Sequence, residues 1–161
     1  MSYFLHKKDV KQTANFKLNI QLPKNAWHGF DCESVWAEVV ESGVMCILNS
    51  PFFAKGISYK DLVSIKIGPE VMWVDSIIKK SGHSTYRILL DKAISEFEFG
   101  SRWVDLAKLG CTYESFIDGS MRMYAVDIPP TVDVSKVYIL LKSGERNGVW
   151  DFDEGDYFSM P

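Results

Sequence analysis

IIKKSGHSTYRILL, Ile77–Leu90, is the stretch on which the reading of this fold turns. One strand-like run enters Ser81-Gly82 and another leaves it, and Ser-Gly between two such runs reads as the tight turn of a β-hairpin. With Val71–Ile78 and Ser84–Leu90 as its arms, the hairpin sets Lys80 opposite His83, Ile78 opposite Thr85 and Ser76 opposite Arg87. All of these share one face, because side chains alternate along a strand. Tyr86, Ile88 and Leu90 then point to the other face, with Trp73 and Ile77, and enter the core.

The polar face so formed gathers Lys80, His83, Thr85 and Arg87, cations with a hydroxyl, which suits a carboxylate or a phosphate. Positive neighbours disfavour imidazolium, so the expectation is a neutral His83. No Asp or Glu adjoins His83 in sequence to orient it as a general base, and Asp75 falls on the opposite face in this register. The stretch is therefore expected to be a structural turn first, an anion or partner contact second, and not a catalytic site.

Outward from the turn, the preceding chain is rich in strands. Phe16–Leu22 alternates and stops at Pro23, and Lys24–Asp31 is a loop. Val35–Val40 and Val44–Leu48 flank Glu41-Ser42-Gly43 as a hairpin, Asn49–Asp61 is a longer connection broken by Pro51 and Gly56, and Leu62–Ile67 is a further strand. Short strands with tight turns and no helix predict a small curled sheet or barrel.

The following chain changes period. Phe99, Trp103 and Leu106 fall at helical spacing, Ser95 with Glu98 forms a capping box, and Gly110 suits a left-handed stop. Ser101 is an alternative cap, because Gly100 interrupts the turn between. Asp118-Gly119 brackets a hairpin of Thr112–Ile117 and Met121–Ile128. Val134, Val137, Tyr138 and Leu141 make an apolar helix face, capped by Asp133 and ended at Gly144, before a short strand Val149–Phe152. The order strand, helix, strand, strand, helix, strand predicts a ferredoxin-like βαββαβ unit. The expected fold class is α+β: an N-terminal small antiparallel β-sheet or barrel followed by that unit. The divisions are residues 1–13 as a tail, 14–80 as a β-rich subdomain and 81–161 as the ferredoxin-like α+β subdomain.

Apolar residues at 47% and charged residues at 24% suit a folded domain, and no apolar run nears the roughly 20 residues of a membrane span. The start, MSYFLHKKDVK, lacks the apolar core of a secretory signal, and three cysteines without a CxxC pair read as buried, reduced thiols. A cytoplasmic location is the expectation. The net charge of −3 is unevenly spread: residues 1–24 hold five lysines against Asp9, and residues 145–156 hold five acids against Arg146. Without a basic stripe, a nucleic-acid partner is not expected, and the acidic end invites a basic protein instead.

VWAEVV, NSPFFAKGISYKDLVSI, SGHSTYRI, LAKLGCTYE, YAVDIPP and GVWDFDEG together resemble a bacterial family of small uncharacterised proteins, domain of unknown function forty-two sixty-five. The resemblance runs from about Phe16 to Gly155, and its most specific pieces are the Pro-Phe…Gly-Ile-Ser…Asp run and the Ser-Gly-His-Ser-Thr turn. A family without assigned chemistry carries over no catalytic residues. By analogy of type, compact proteins of this kind resemble the immunity partners of polymorphic or contact-dependent toxins.

Three further stretches bear on function. His28 and Cys32 in WHGFDC supply at most half of a zinc site, and DFDEGD lacks the acid order of a calcium loop, so neither metal nor cofactor is expected. There is no Gly-rich phosphate loop, GxSxG or HExxH. The acidic end interleaves aromatic residues with charge, the composition of interface hot spots. The expected function is a non-enzymatic binding protein of the immunity type, covering a basic toxin site such as a nuclease presents, with Trp150, Asp151, Asp153, Glu154, Asp156 and Tyr157. The ordinary role for Trp150 and Phe152 is the inner side of the last strand. The alternative is a small-molecule or anion-binding domain, or an enzyme, using Lys80, His83, Thr85 and Arg87.

Overall fold

The computed structural model describes residues 15–159. Five strands come first: β1 (Phe16–Gln21), β2 (Cys32–Glu41), β3 (Val44–Ile47), β4 (Leu62–Ile67) and β5 (Met72–Lys79). Each pairs antiparallel with the next, and β1 closes on β5 to form a barrel. With an odd number of strands in an up-and-down meander, the first and last run the same way. The closing pair is accordingly parallel, and it is short, only Leu18 with Met72 and Asn19 with Trp73. Alternate residues Leu18, Ile20, Val35, Ala37, Met45, Ile47 and Val63 fill the interior, with Phe52, Phe53, Ala54 and Ile57 of the Asn49–Asp61 loop packed among them.

The second layer is a four-stranded sheet in the order β7-β8-β6-β9, antiparallel throughout: β6 (Ser84–Leu90), β7 (Thr112–Asp118), β8 (Met121–Ile128) and β9 (Trp150–Asp156). Helices α1 (Glu96–Leu109) and α2 (Val134–Arg146) lie on one face, where Phe99, Leu106, Val137 and Leu141 pack on Tyr86, Ile88, Leu90, Val126 and Ile128. The opposite face gives Phe116, Met123 and Ala125 to the barrel's core. Mixed α and β structure, mostly strands in two sheets with two helices, is the architecture. Among the described residues, no helix is long and apolar enough to cross a membrane.

The expected hairpin at Ser81-Gly82 does not form. β5 pairs with β4 and β1, whereas β6 pairs with β8 and β9, so the Lys80–His83, Ile78–Thr85 and Ser76–Arg87 register is replaced. Gly82, at φ 92°, turns the chain out of the barrel and into the sheet. The physical reason is that β6 is central and covered on both sides. Its odd residues Thr85, Arg87 and Leu89 face the barrel, and its even residues Tyr86, Ile88 and Leu90 face the helices, away from Trp73 and Ile77. Alternation identifies a strand but says nothing of which strand lies beside it.

The helix ends follow their capping chemistry. Ser95 and Glu98 make the reciprocal capping box, Gly110 (φ 106°) takes the left-handed stop, and the Asp133 carboxylate accepts the Ser135 N–H. Gly144 corrects an expectation: α2 continues to Arg146, and Gly144 lies buried inside it. A Cβ there would sit 2.2 Å from the Trp150 indole, whose Nε1 donates to Leu141 O at 2.9 Å. The glycine makes room for a ring rather than ending a helix. The thiols differ too, since Cys111 is buried and Cys46 half-buried, but Cys32 is exposed. The basic tail's Lys7, Lys8 and Lys11 lie outside the described residues.

Candidate functional site: the seam between barrel and sheet

Asn49–Asp61 runs between the two layers with no strand or helix of its own, so its backbone groups need side-chain partners. Glu33, buried on β2, accepts the N–H groups of Phe52 (2.5 Å), Phe53 (2.9 Å) and Ala54 (2.8 Å). Burial still pushes its carboxyl above the ordinary value, although those three N–H groups and Arg87 favour the anion. Asp61, fully buried, accepts the N–H groups of Ser58 and Ser81, each at 2.8 Å. Ser81 Oγ donates to Tyr59 O at 2.7 Å, and Gly56 N–H to Gly155 O at 2.9 Å. Thus Ser-Gly-His-Ser-Thr and Pro-Phe…Gly-Ile-Ser…Asp, the two segments most specific in sequence, are knitted together here.

The four residues expected to form a cationic face all reach this seam, each with a partner. Arg87, buried on β6, donates to both oxygens of Asp153 (2.7 and 2.5 Å) and to the carbonyls of Phe53 (2.9 Å) and Phe52 (3.3 Å). Lys80 donates to Asp61 at 2.5 Å, to Gly56 O at 3.1 Å and to Asp156. Thr85 Oγ1 shares a 2.8 Å hydrogen bond with Ser58 Oγ, which also donates to Asp156 at 2.7 Å. His83 Nδ1 lies 2.7 Å from Asp127 Oδ1 on β8, with both side chains about nine-tenths buried (12% and 11% exposed).

His83 therefore does have an orienting carboxylate, contrary to the local reading. Tyr59 meets its ring edge-on at 5.2 Å. Nearby Glu114 accepts the Ser50 N–H at 3.2 Å, and burial holds its carboxyl up at about 7, helped by the like charges of Asp127 and Glu33. A His–Asp dyad supplies two of the three members of a nucleophilic triad. Among the described residues, the ring meets Asp127 and Tyr59. Sequence reasoning missed Asp127, Asp61, Glu33, Glu114 and Tyr59, whose partners are distant in the chain; the only local signal was the acid closing Ile57-Ser-Tyr-Lys-Asp61.

The acidic stretch divides between the faces of β9, an edge strand. Trp150 is buried under α2, and Phe152 is half-buried on the same side. Glu154 shares that side, exposed, and accepts the Tyr86 hydroxyl at 3.2 Å. Asp151, Asp153 and Asp156 turn to the barrel side. Gly155 is the extra residue of a bulge that keeps Asp156 on Thr85, and its missing side chain leaves room for Thr85 O. Asp156 is held inward by Lys80 and Ser58, whereas Asp151 is exposed and forms no ion pair among the described residues. Tyr157 is exposed beyond the strand. The exposed tryptophan is a different one, Trp27 in the loop between β1 and β2, at 66%.

A barrel joined by a salt-bridged seam to a helix-backed antiparallel sheet is the class of molecule these features define. The chain belongs to the family described as Domain of unknown function (DUF4265), which matches residues 33–152. It is similar in fold to a solved structure described as "Novel crystal structure of a hypothetical protein from Neisseria gonorrhoeae", at 17% identity and a TM-score of 0.69, covering 89% of this chain and 97% of that one. No curated protein matches the chain.

Proposed function

We propose that this chain is a non-enzymatic binding protein of the immunity type, which neutralises a cognate toxin by covering a basic active site with the exposed acidic strip of β9. One observation carries the reading. Lys80, His83, Thr85 and Arg87 are all engaged inside the seam, while Asp151 and Glu154 stay at the surface. Fully engaged cations hold a loop in place and leave little for an anionic ligand, which weighs against the small-molecule alternative. Exposed acids on an edge strand steer a basic partner during encounter. The same reading takes the second layer as ferredoxin-like, on the support of its strand order and of two helices sharing one face. A cytoplasmic location goes with it.

The structure changes which acids belong in the test. Asp153 and Asp156 brace Arg87 and Lys80, so reversing them would disturb the fold. Asp151→Lys with Glu154→Gln is the cleaner probe, because glutamine removes the charge but keeps an acceptor for the buried Tyr86 hydroxyl. Co-expression should protect cells from a toxin domain encoded beside this gene. The double variant should associate roughly tenfold more slowly at low salt, with the difference shrinking as salt rises. Unchanged association by the double variant, or an adjacent gene set devoted to metabolism, would remove the reading.

A further inference from the structure

The loop Leu22–Asp31 is closed and stiff. Leu22 N–H donates to Asp31 O at 2.9 Å, Gly29 N–H to Ala26 O at 3.0 Å, and Gln21 Nε2 to Asp31 O at 2.8 Å. At its tip, Trp27 is braced edge-on by His28 (5.5 Å) and Phe53 (6.3 Å). Behind these, Phe30 and Phe53 pack on Phe116 at 6.1 and 5.6 Å, so the exposed indole is the end of an aromatic column that reaches the core. A large apolar ring held out in water by a pinned loop costs solvation, but it offers a partner a preorganised contact.

The column also joins the acidic strip. The Phe53 carbonyl accepts from Arg87, and Arg87 holds Asp153, whose side chain stays 49% exposed. Lys55 approaches the same carboxylate at 3.9 Å. Asp151 lies two residues along β9 on the same face. His28 Nδ1 accepts the Phe30 N–H at 3.1 Å, which places the ring proton on Nε2. Burial, and then Arg87, lower its pKa, so the neighbour of the indole stays neutral and does not repel a cation.

From this placement we propose that Trp27 is the aromatic anchor of the docking surface, stacking an arginine or lysine side chain of a basic protein segment whose other charges meet Asp151. An indole face attracts cations, and the exposed carboxylate of Asp151 on the barrel side of β9 favours the same charge. The inference rests on the reading of β9 as an acidic docking strip and adds to it the residue that anchors the partner.

The probe is a peptide of nine arginines, titrated at low salt against the intact chain, with binding followed by calorimetry. The wild type should bind, and Trp27→Ala should bind about tenfold more weakly. Trp27→Phe should fall between the two. The peptide should also shield Trp27 from acrylamide quenching in the wild type. At 66% exposure, Trp27→Ala should lower the thermal midpoint only slightly, and binding measured well below that midpoint separates loss of an anchor from loss of the fold. If Asp151→Lys loses binding while Trp27→Ala keeps it, the anchor falls and the acidic strip stands. If neither variant loses binding, or the wild type does not bind, both fall.

Discussion

Arg87 on β6 and Asp153 on β9 face each other in the strand register and join fork to fork, Nε to Oδ1 at 2.7 Å and Nη2 to Oδ2 at 2.5 Å. The third guanidinium nitrogen reaches across the seam to two carbonyls of the loop. One side chain thus ties β6, β9 and Asn49–Asp61 together. A lysine there keeps the charge but offers one nitrogen on a different stem, so Arg87→Lys should cost roughly 2–3 kcal/mol and Arg87→Ala roughly 3–5 kcal/mol in urea unfolding. A lysine variant as stable as the wild type would count against the fork as a structural device.

Lys80 does comparable work for Asp61, whose side chain is wholly buried. Lys80→Met should leave that carboxylate without its cation and cost about 3 kcal/mol. The loosening should be local first. Amide exchange at Ser58 and Ser81, both donors to Asp61, should speed up before exchange in the helices does. Equal acceleration at all sites would contradict a seam that opens on its own.

Two glycines inside helices should respond in opposite directions. Gly144→Ala drives a methyl into the Trp150 ring and should destabilise by roughly 2–4 kcal/mol. Gly100 has nothing within 4 Å of an added Cβ and lies inside α1, so Gly100→Ala should stabilise by about 0.5–1 kcal/mol. Thermal unfolding of the two variants reads both signs.

Glu114 makes stability depend on pH. Its carboxyl titrates at about 7 in the fold against an ordinary 4.5, so between these values the folded state holds a proton that the unfolded chain lacks. Stability is therefore greatest below this window and declines as pH rises through it. Between pH 5 and pH 8 the wild type should lose about 1–3 kcal/mol relative to Glu114→Gln, which cannot titrate. Parallel stability–pH curves for the two proteins would place the proton elsewhere.

The sequence made local structure legible where one residue's chemistry had one use. Ser95 with Glu98, Gly110 and Asp133 mark helix ends because free N–H and C=O groups there need a cap within a few residues. β1 was visible from alternation, and the two helices from helical spacing. Gly144 was misread because glycine has two uses, a conformational one and a steric one. The second depends on Trp150, a residue brought alongside only when β9 packs on α2.

The candidate site divides in the same way. Lys80, His83, Thr85 and Arg87 could be singled out as polar residues that share a turn and a strand, but their partners could not be. Asp61, Asp127, Asp153 and Asp156 come from a loop and two other strands, and every one of them arrives through sheet pairing or loop packing. A hairpin register drawn from Ser81-Gly82 put cations together; the actual register puts each cation against an acid.

Residue order alone was enough for the strands, the two helices, the caps at Ser95, Gly110 and Asp133, and the uneven distribution of charge, all of which depend on neighbours within a few residues. Packing of distant segments was needed to put β5 and β6 in different sheets, to match the cations internally, and to leave Trp27 rather than Trp150 in water. Strand pairing and burial are set by which distant surfaces cover each face, and a strand covered on both sides carries no record of its neighbours in its own alternation.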